Sequence, residues 1–532
     1  MNSKLVILPA MALAAAGVSA QDKVARRDIK KEANPNRLNV VFIISDQMSA
    51  LALPLYGNQN IKTPNMDRLA REGVVFENSV CVVPFSSPAR ASFATGLYPT
   101  THGIMSNVKA KETPNVFDTR DIPYTEKILY SVGYTNGWYG KWHLGVLADY
   151  PCFKDNSMDS MDKKILSDTF DQAKKDANPS GKPQPARKGE VIANAKTDCG
   201  FGFYQTEYMY DKAKNAPQNM SRKVSSIGRQ GIPVELNDWT SLTKQGLDFI
   251  TRNKERNFTT TISLGPPHPN FEMSDPYYSA IDPAKIVLQP SYKDAGQYQS
   301  NMNSKIGFYI GEEGTREKMR CYYAQIMYVD EMIGRILKCL DDNGLSDKTL
   351  VIFTADHGDP MSSHGMLYGK TIDGFVEELL RTPTLMRLPG AIPAGKRIKA
   401  HINSVDFAPT ILDYLGQTPP ASMQGKSMRP VIEGKVSDQV GFSFSMRPNA
   451  RCVRGEVDGK IYSYTRVFSG NVREELYNVT DDPFQMKEIS RDKKYAKVIA
   501  TMKQAFDEHA EKHNDKRIDR LSKADVRGSD NE

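Results

Sequence analysis

The sequence contains few cysteines, and no two of them stand at a metal-binding spacing. Among its 532 residues there are six, and none forms a C-x-x-C pair: Cys81, Cys152, Cys199, Cys321, Cys339 and Cys452. This pattern excludes zinc-ribbon modules and small disulfide-dense scaffolds. An exported chain could still form one or two disulfides, but the spacing indicates no pairing.

Long apolar runs are missing from the chain after its first twenty residues. Residues 1–20 combine Lys4, the apolar run Leu5–Val18 and a small-residue end at Ala20, which is the pattern of a secretory signal peptide. No later run approaches the ~20 apolar residues that a membrane-spanning helix needs. The sequence therefore predicts a periplasmic or secreted protein, cleaved after Ala20 and without a membrane span.

A large charge imbalance is absent as well. The chain has 70 lysines and arginines against 63 acidic residues, a net charge of +7, and the basic residues are spread along it. So mild an excess suits acidic substrates only weakly, and we predict no nucleic-acid partner. Residues 21–37 are polar and basic, and they predict a loosely held N-terminal arm.

Several predicted strands are each followed by polar residues. The first is a continuous apolar, β-branched run, typical of a parallel strand that is covered on both faces. The strands and the residues after them are Leu38–Ser45 with Asp46 and Gln47, Tyr134–Tyr139 with Lys141 and His143, Phe258–Leu264 with His268, and Thr349–Thr354 with Asp356 and His357. Because an open α/β sheet places its ligands beyond the carboxyl ends of its strands, we expect polar residues there to line a crevice.

One stretch, Pro84–Gly103, carries the most specific pattern in the chain. Pro88 fits the first turn of a helix, where its missing N–H costs nothing, and Gly96 ends that helix. Ser86 is therefore expected just ahead of a helix N-terminus, which favours anions, with Arg90 about one turn inside. A hydroxyl, a helix start and an arginine suit an oxyanion of sulfur or phosphorus. The alternative is an ordinary Ser/Pro-rich loop that leads into a helix.

The segment Ser86-Ser87-Pro88-Ala89-Arg90, with Thr95-Gly96 after it, resembles the signature of formylglycine-dependent sulfatases, C/S-x-P-S/A-R with a trailing T-G. Four other elements resemble family motifs in the same order: Asp46-Gln47, GKWHLG at 140–145, Pro267-His268, and Asp356-His357 with Tyr368-Gly369-Lys370 after it. The resemblance runs from Leu38 to roughly Ser490. It implies an alkaline-phosphatase-like α/β sandwich with a large, mostly parallel central sheet flanked by helices, plus a smaller C-terminal antiparallel-sheet subdomain.

The resemblance implies two cofactors for the site. Ser86 would be oxidised to formylglycine by a maturation enzyme, and the hydrated aldehyde would be the nucleophile. A divalent cation would be held by Asp46, Gln47, Ser86, Asp356 and His357. Where the family pattern has two adjacent acids, the second is Gln47 here, which keeps an oxygen ligand and removes one charge. Oxygen-rich ligation with one imidazole suits Ca²⁺ best, and Mg²⁺ or Mn²⁺ stays open.

The resemblance also implies roles for the remaining site residues. Arg90, Lys141 and Lys370 would neutralise the sulfate oxygens. His268 would protonate the leaving alcohol, and His143 would help to expel sulfate and restore the aldehyde. The implied reaction is hydrolysis of a sulfate ester, with a sulfated carbohydrate as the expected substrate.

The expected organisation has four parts. Residues 1–20 form the signal peptide, 21–37 the arm, 38–436 the catalytic domain with an insertion at about 150–240, and 437–532 the C-terminal subdomain. Three strands are predicted in the last part, and Asp458-Gly459 joins two of them as a hairpin turn. Three arginines there, at positions 447, 451 and 454, either face the crevice and bind an acidic sugar or are ordinary surface charges.

Two other functions stay open at this stage. A phosphonate monoester or phosphodiester hydrolase of the same superfamily shares the Asp-His metal pair and also accepts a formylglycine. A catalytically silent carbohydrate-binding relative is the second alternative. Such a relative should have lost at least one of Ser86, Arg90, Lys141 and Asp356, and all four are present.

Overall fold

The structure is a computed structural model. It describes residues 37–108, 116–147, 150–156, 190–193, 203–206, 227–229, 233–294, 302–366, 374–437, 441–468 and 472–515. The predicted signal peptide, most of the basic arm, much of the 150–240 insertion and Lys370 lie outside these residues. The domain boundaries and the leader therefore stay predictions.

The described residues form fifteen strands. In chain order they are β1 (Asn39–Ser45), β2 (Val74–Val80), β3 (Thr135–Gly140), β4 (Glu190–Ala193), β5 (Phe203–Thr206), β6 (Ile227–Arg229), β7 (Phe258–Leu264), β8 (Phe271–Met273), β9 (Thr349–Ala355), β10 (Thr384–Arg387), β11 (Lys396–Asn403), β12 (Phe442–Arg447), β13 (Ala450–Val457), β14 (Lys460–Val467) and β15 (Arg473–Asn478). Seven of them make a central sheet in the order β11-β2-β10-β9-β1-β7-β3. β10 runs antiparallel to both neighbours, and every other pairing in this sheet is parallel.

Ten α-helices accompany these strands in the described part of the chain. They are α1 (Pro64–Arg71), α2 (Ser86–Thr95), α3 (Pro99–His102), α4 (Thr125–Ser131), α5 (Asp238–Arg252), α6 (Met302–Asp342), α7 (Glu377–Leu380), α8 (Phe407–Tyr414), α9 (Arg429–Ile432) and α10 (Ala496–Lys512). None of these helices is both long enough and apolar enough to cross a bilayer.

Helices cover the central sheet on both faces, which explains the continuous apolar strands. In β1, Val41 and Ile43 pack into one core with apolar side chains of α1, α5 and α6. Val40, Phe42 and Ile44 point the other way and pack into a second core with α2, α4 and α8. Successive side chains of a strand point to opposite faces of the sheet. Because helices cover both faces, every residue of β1 is buried. The expected α/β sandwich is confirmed.

A second sheet is built from the C-terminal strands. It has the order β12-β13-β14-β15 with all pairings antiparallel, and α10 packs on it through Val498, Met502 and Phe506. Asp458 and Gly459 join β13 to β14 with φ values of 51° and 78°, the left-handed pair that a two-residue hairpin turn requires. The predicted antiparallel subdomain and its turn are confirmed.

The details depart from expectation at several places. α2 begins at Ser86 itself, so Ser86 lies in the first turn rather than ahead of it, and Pro88 occupies the third position. α5 begins at Asp238, three residues earlier than its apolar pattern indicates, because the Asn237 side chain accepts a hydrogen bond from the Trp239 amide. Strand β11 was not predicted.

Candidate active site

The ends of three parallel strands bring the polar residues together. The Asp46 amide, one residue past β1, donates to the Leu264 carbonyl at 2.9 Å, and the Asp356 amide, one residue past β9, donates to Ser45 at 3.2 Å. Lys141 follows β3 in the same way and donates its amide to Ser263 at 3.0 Å. The hydrogen-bond ladder thus fixes the three residues at one level of the sheet edge.

Ser86 lies at the centre of this edge and is fully buried. Its Oγ is 3.4 Å from Asp46 Oδ1, 3.3 Å from His357 Nε2 and 3.4 Å from the Lys141 ammonium nitrogen. The hydroxyl therefore contacts an acid, an imidazole and a cation at once. The structure thus brings three other predicted site residues within hydrogen-bond reach of the Ser86 hydroxyl.

Three side chains at this edge have the ligand types that a cation needs. One ligand atom each from Asp46, Asp356 and His357 lies within 4.8 Å of the others, and all three residues are buried. The Nδ1 of His357 is 2.8 Å from the Gly358 carbonyl, and this acceptor requires Nδ1 to carry the ring proton. Nε2 is then the ring atom that can offer a lone pair to a cation, and it lies 3.9 Å from Asp46 Oδ1 and 3.8 Å from Asp356 Oδ1.

Gln47 lies beside Asp356 and has a buried side-chain oxygen. Its backbone amide donates to Asp356 Oδ1 at 3.0 Å, and its Nε2 donates to Asp359 Oδ2 at 2.7 Å. The remaining atom, Oε1, is buried and has no hydrogen-bond partner in the part of the chain that the structure describes. A buried carbonyl oxygen is costly to leave unsatisfied. Two carboxylates, this oxygen and one imidazole fit a hard divalent cation.

Arg90 ties the strand ends to helix α2. Its Nε donates to Asp356 Oδ2 at 3.0 Å, and its Nη1 donates to Ser263 Oγ at 2.6 Å and to the Lys141 carbonyl at 2.8 Å. Its Nη2 is 3.6 Å from Asp46 Oδ2, which also pairs with the Lys141 ammonium group. The guanidinium is thereby fixed in place by groups from three strand ends before any substrate arrives.

These charges govern the ionisation of Asp356. Burial acts to raise the pKa of this carboxyl, and the nearby Asp46 adds to that effect. His357, Arg90 and Lys141 act in the opposite direction, and the net result is a pKa below the ordinary value. Asp356 is therefore ionised, as a metal ligand must be.

For three further predicted residues, His143, His268 and Lys370, the structure provides less information about the predicted role. His143 follows Lys141 with a left-handed φ of 60°, and its carbonyl accepts a hydrogen bond from Ser87 Oγ at 2.6 Å. His268 lies partly exposed in the turn after β7, with its Nδ1 2.6 Å from the Pro269 carbonyl. Lys370 lies outside the described residues. The catalytic roles of these three residues stay predictions.

Sequence reasoning missed three residues of this network. Ser263 is near the carboxyl end of β7, so its position beside Arg90 could have been found from strand alignment. Asp359 stands three residues after Asp356. Lys318 is fully buried on α6, where it pairs with Asp359, and no local sequence pattern indicates a buried lysine there.

The three C-terminal arginines are not the ordinary surface charges that one of the two expected alternatives describes. Arg451 pairs with Asp515 at 2.7 Å and Arg454 with Glu377 at 2.9 Å, and all four side chains are buried. The guanidinium of Arg447 lies over the Phe85 ring, 5.4 Å from its centroid, and is also buried. These arginines are interior residues rather than surface charges.

Comparison with known families identifies this arrangement. Residues 38–417 match the family model described as Sulfatase. This chain belongs to the sulfatase family. Its C-terminal part, residues 366–512, also matches the model for the C-terminal region of N-sulphoglucosamine sulphohydrolase. The sulfatase is therefore a sulfuric ester hydrolase, as the signature at Ser86 predicted.

Individual relatives span nearly the whole sulfatase. An N-acetylglucosamine-6-O-sulfatase of Bacteroides thetaiotaomicron is 26% identical over 97% of this chain and 92% of its own length. The solved structure of BT4656 with its substrate D-glucosamine-2-N,6-O-disulfate aligns with a TM-score of 0.64 and 21% identity, over 91% of this chain and all of that one. The phosphonate monoester hydrolase of Agrobacterium radiobacter aligns at 0.67 and 21%, over 90% and 96%. These structures share the fold.

Proposed function

We propose that this sulfatase removes a sulfate ester from a sulfated carbohydrate, with Ser86 converted to formylglycine as the source of the nucleophile. The observation that carries the proposal is the position of Ser86 Oγ, 3.3 to 3.4 Å from Asp46, His357 and Lys141. A nucleophile at this point lies beside a cation site and beside a fixed ammonium group. An ordinary buried serine would not need either.

The proposed cation is held by Asp46, Gln47, Asp356 and His357, with residue 86 beside it. A divalent ion there supplies charge neutralisation for the sulfate and lowers the pKa of a nucleophilic oxygen. The oxygen-rich ligand set favours Ca²⁺, with Mg²⁺ and Mn²⁺ as alternatives. Gln47 Oε1, which has no hydrogen-bond partner among the residues that the structure describes, supports this assignment.

The chain's own cations bind the sulfate group in this proposal. Arg90 is already fixed by Asp356, Ser263 and the Lys141 carbonyl, so it can neutralise the sulfate oxygens without reorganising. The Lys141 ammonium nitrogen lies 3.4 Å from Ser86 Oγ and, like Arg90, beside Asp46 Oδ2, and Lys370 is proposed to join them. His268 holds the proton for the leaving alcohol, and His143 takes part in expelling sulfate.

The names of relatives support the substrate class. One relative is an N-acetylglucosamine-6-O-sulfatase, and one solved neighbour holds a doubly sulfated glucosamine. We propose a sulfated saccharide as the substrate and a serine-competent maturation enzyme as a partner. The signal-peptide pattern at residues 1–20 adds the proposal of a periplasmic or secreted location.

A panel of defined sulfated saccharides tests the function. Purified protein, produced together with a maturation enzyme, is expected to release inorganic sulfate from at least one member, and the Ser86→Ala variant from none. The desulfated product identifies the sugar and the sulfate position. Sulfate release that persists unchanged in Ser86→Ala would contradict the proposal.

A second candidate is phosphonate monoester hydrolysis, which the fold match to the Agrobacterium radiobacter enzyme favours. Sulfate and phosphonate esters of the same phenol separate the two, because the leaving group is then identical. We expect the larger kcat/KM with the sulfate ester. A larger value with the phosphonate would reverse the assignment.

A further inference from the structure

A buried ion pair, Lys318 with Asp359, contacts the side chain of Gln47. Lys318 of α6 donates to Asp359 Oδ1 at 2.5 Å, and neither side chain has any exposed surface. The other oxygen of the carboxylate, Asp359 Oδ2, accepts from Gln47 Nε2 at 2.7 Å. The chain Lys318–Asp359–Gln47 thus leads from the long helix to the cation site.

This chain decides which end of the Gln47 amide faces the cation. An ionised carboxylate paired with a lysine can only accept hydrogen bonds, so the amide atom beside Asp359 must be the nitrogen. The amide oxygen then faces the opposite way. It is this oxygen that is buried without a hydrogen-bond partner among the described residues.

The backbone of Gln47 is fixed as firmly as its side chain. Its amide donates to Asp356 Oδ1 at 3.0 Å, and its carbonyl accepts from the Tyr322 hydroxyl at 2.9 Å. Tyr322 and Lys318 stand one turn apart on α6, and the Lys318 ammonium lies 5.0 Å from the centroid of the Tyr322 ring. The helix therefore contacts Gln47 at its carbonyl directly and at its side chain through Asp359.

We infer that Asp359 and Lys318 are positioning residues that hold Gln47 with Oε1 directed at the cation. An acid at position 47 would place a negative charge directly on the ion. Here the negative charge is on Asp359 instead, which contacts the Gln47 side chain and has Lys318 as its counter-ion. The inference rests on the proposed function, since it requires a cation at this site. Outer groups that orient a ligand typically change metal affinity by ~10–100-fold when removed.

A purely structural role is the competing explanation, because a buried ion pair also ties α6 to the segment after β9. The two explanations differ in what Asp359→Asn changes. An asparagine can donate as well as accept, so the Gln47 amide could turn and present its nitrogen to the cation. Positioning therefore predicts weaker cation binding, whereas a structural role predicts only a lower melting temperature.

The test is calorimetric titration of the metal-free full chain with Ca²⁺, Mg²⁺ and Mn²⁺, alongside thermal unfolding. Asp359→Asn is expected to bind the preferred ion ~10–100-fold more weakly than the wild type. The double variant Gln47→Glu with Asp359→Asn should regain most of that affinity, since a glutamate has an acceptor oxygen on both sides. Asp515→Asn is the matched control, because it breaks the buried pair with Arg451 and leaves Gln47 untouched.

Each outcome separates the inference from the function on which it rests. If the wild type binds none of the three ions, the proposed cation site is wrong, and the inference fails with it. If the wild type binds and Asp359→Asn binds equally well at a lower melting temperature, only the inference is wrong.

A second variant serves if Asp359→Asn does not fold. Gln47→Glu alone should bind at least tenfold more weakly than the wild type, because its carboxylate faces that of Asp359. A gain in affinity from the added charge would show that Asp359 does not govern residue 47.

Discussion

The His357 Nε2 atom lies 3.3 Å from the hydroxyl oxygen of Ser86. The other ring nitrogen, Nδ1, lies 2.8 Å from the Gly358 carbonyl and donates a hydrogen bond to it, so Nε2 is the ring atom that can offer a lone pair. An Nε2 lone pair that binds a cation cannot at the same time carry a proton for the substrate. This geometry suits His357 to a cation site better than to acid catalysis.

The cation assignment predicts a specific loss in Asp356→Asn. Chelation should abolish turnover of the wild type, and readdition of the preferred ion should restore it. The variant should lose turnover by at least ~100-fold. Removal of a group that only hydrogen-bonds to a metal ligand already lowers metal affinity or activity by ~10–100-fold, and Asp356 is proposed as a ligand itself. It should remain folded, since the backbone amide of residue 356 holds the strand end by its hydrogen bond to the Ser45 carbonyl. Glu377→Gln, which breaks the buried pair with Arg454, controls for the loss of a buried charge.

Activity of Asp356→Asn is measured at saturating Ca²⁺, with circular dichroism to confirm the fold. Normal turnover by a folded variant that still binds the ion would show that Asp356 is not a ligand.

The proposed acid role of His268 predicts a dependence on the leaving group. A sugar alcohol needs a proton in the transition state far more than a nitrophenol does. His268→Ala should therefore lose ~10²–10⁴-fold in kcat on a saccharide sulfate and much less on an activated aryl sulfate. Steady-state rates on the two substrates provide the comparison. Equal losses would mean that His268 only binds substrate or shapes its loop. The buried His364, eight residues after Asp356 in the chain, would then become the acid to examine.

His102 predicts an acid-sensitive contribution to folding. It is fully buried, its Nδ1 accepts from the Ile104 amide at 3.1 Å, and its Nε2 is 3.1 Å from Ser92 Oγ. Burial, with help from Arg120, lowers its pKa to about 3. The folded state thus keeps the ring neutral while the unfolded chain binds a proton below about pH 6.5. Stability is lost as the pH falls through that window, by up to about 1.4 kcal/mol per pH unit.

Denaturant unfolding of the wild type and His102→Asn at several pH values measures this contribution. Asparagine keeps an acceptor for the Ile104 amide and does not titrate. The wild type should be the more stable protein at neutral pH, and its advantage should shrink between pH 6.5 and 4. If the free energies of unfolding of the two proteins change with pH by the same amount, His102 contributes no pH dependence.

The core strands and the strand-end residues could be predicted from the sequence because local pattern determines them. Phe258–Leu264 was predicted with the bounds that the structure gives, since its run of β-branched residues favours a strand. Strand β11 lies at a sheet edge and carries Lys396, Arg397 and Lys399. Such charges protect an edge strand from aggregation but remove the apolar pattern that would reveal it.

The rest of the site could not be predicted because it depends on partners distant in sequence. Lys318 is buried only because the fold brings Asp359 to it, and a lysine in a helix is ordinarily exposed. Arg454 is interior because Glu377, 77 residues away, pairs with it. Local pattern carries no information about such pairs, and the sequence therefore did not reveal that Arg451 and Arg454 pair with buried acids.

The chemical state of residue 86 tests the central claim most directly. The measurement is mass spectrometry of the peptide that spans residue 86, on protein whose turnover of a sulfate ester has been determined. Active protein should carry an aldehyde there, lighter than the serine form by two hydrogen atoms. Turnover should rise in proportion to the converted fraction and require a serine-competent maturation enzyme. Full turnover by protein that carries only unmodified Ser86 would contradict the proposed chemistry.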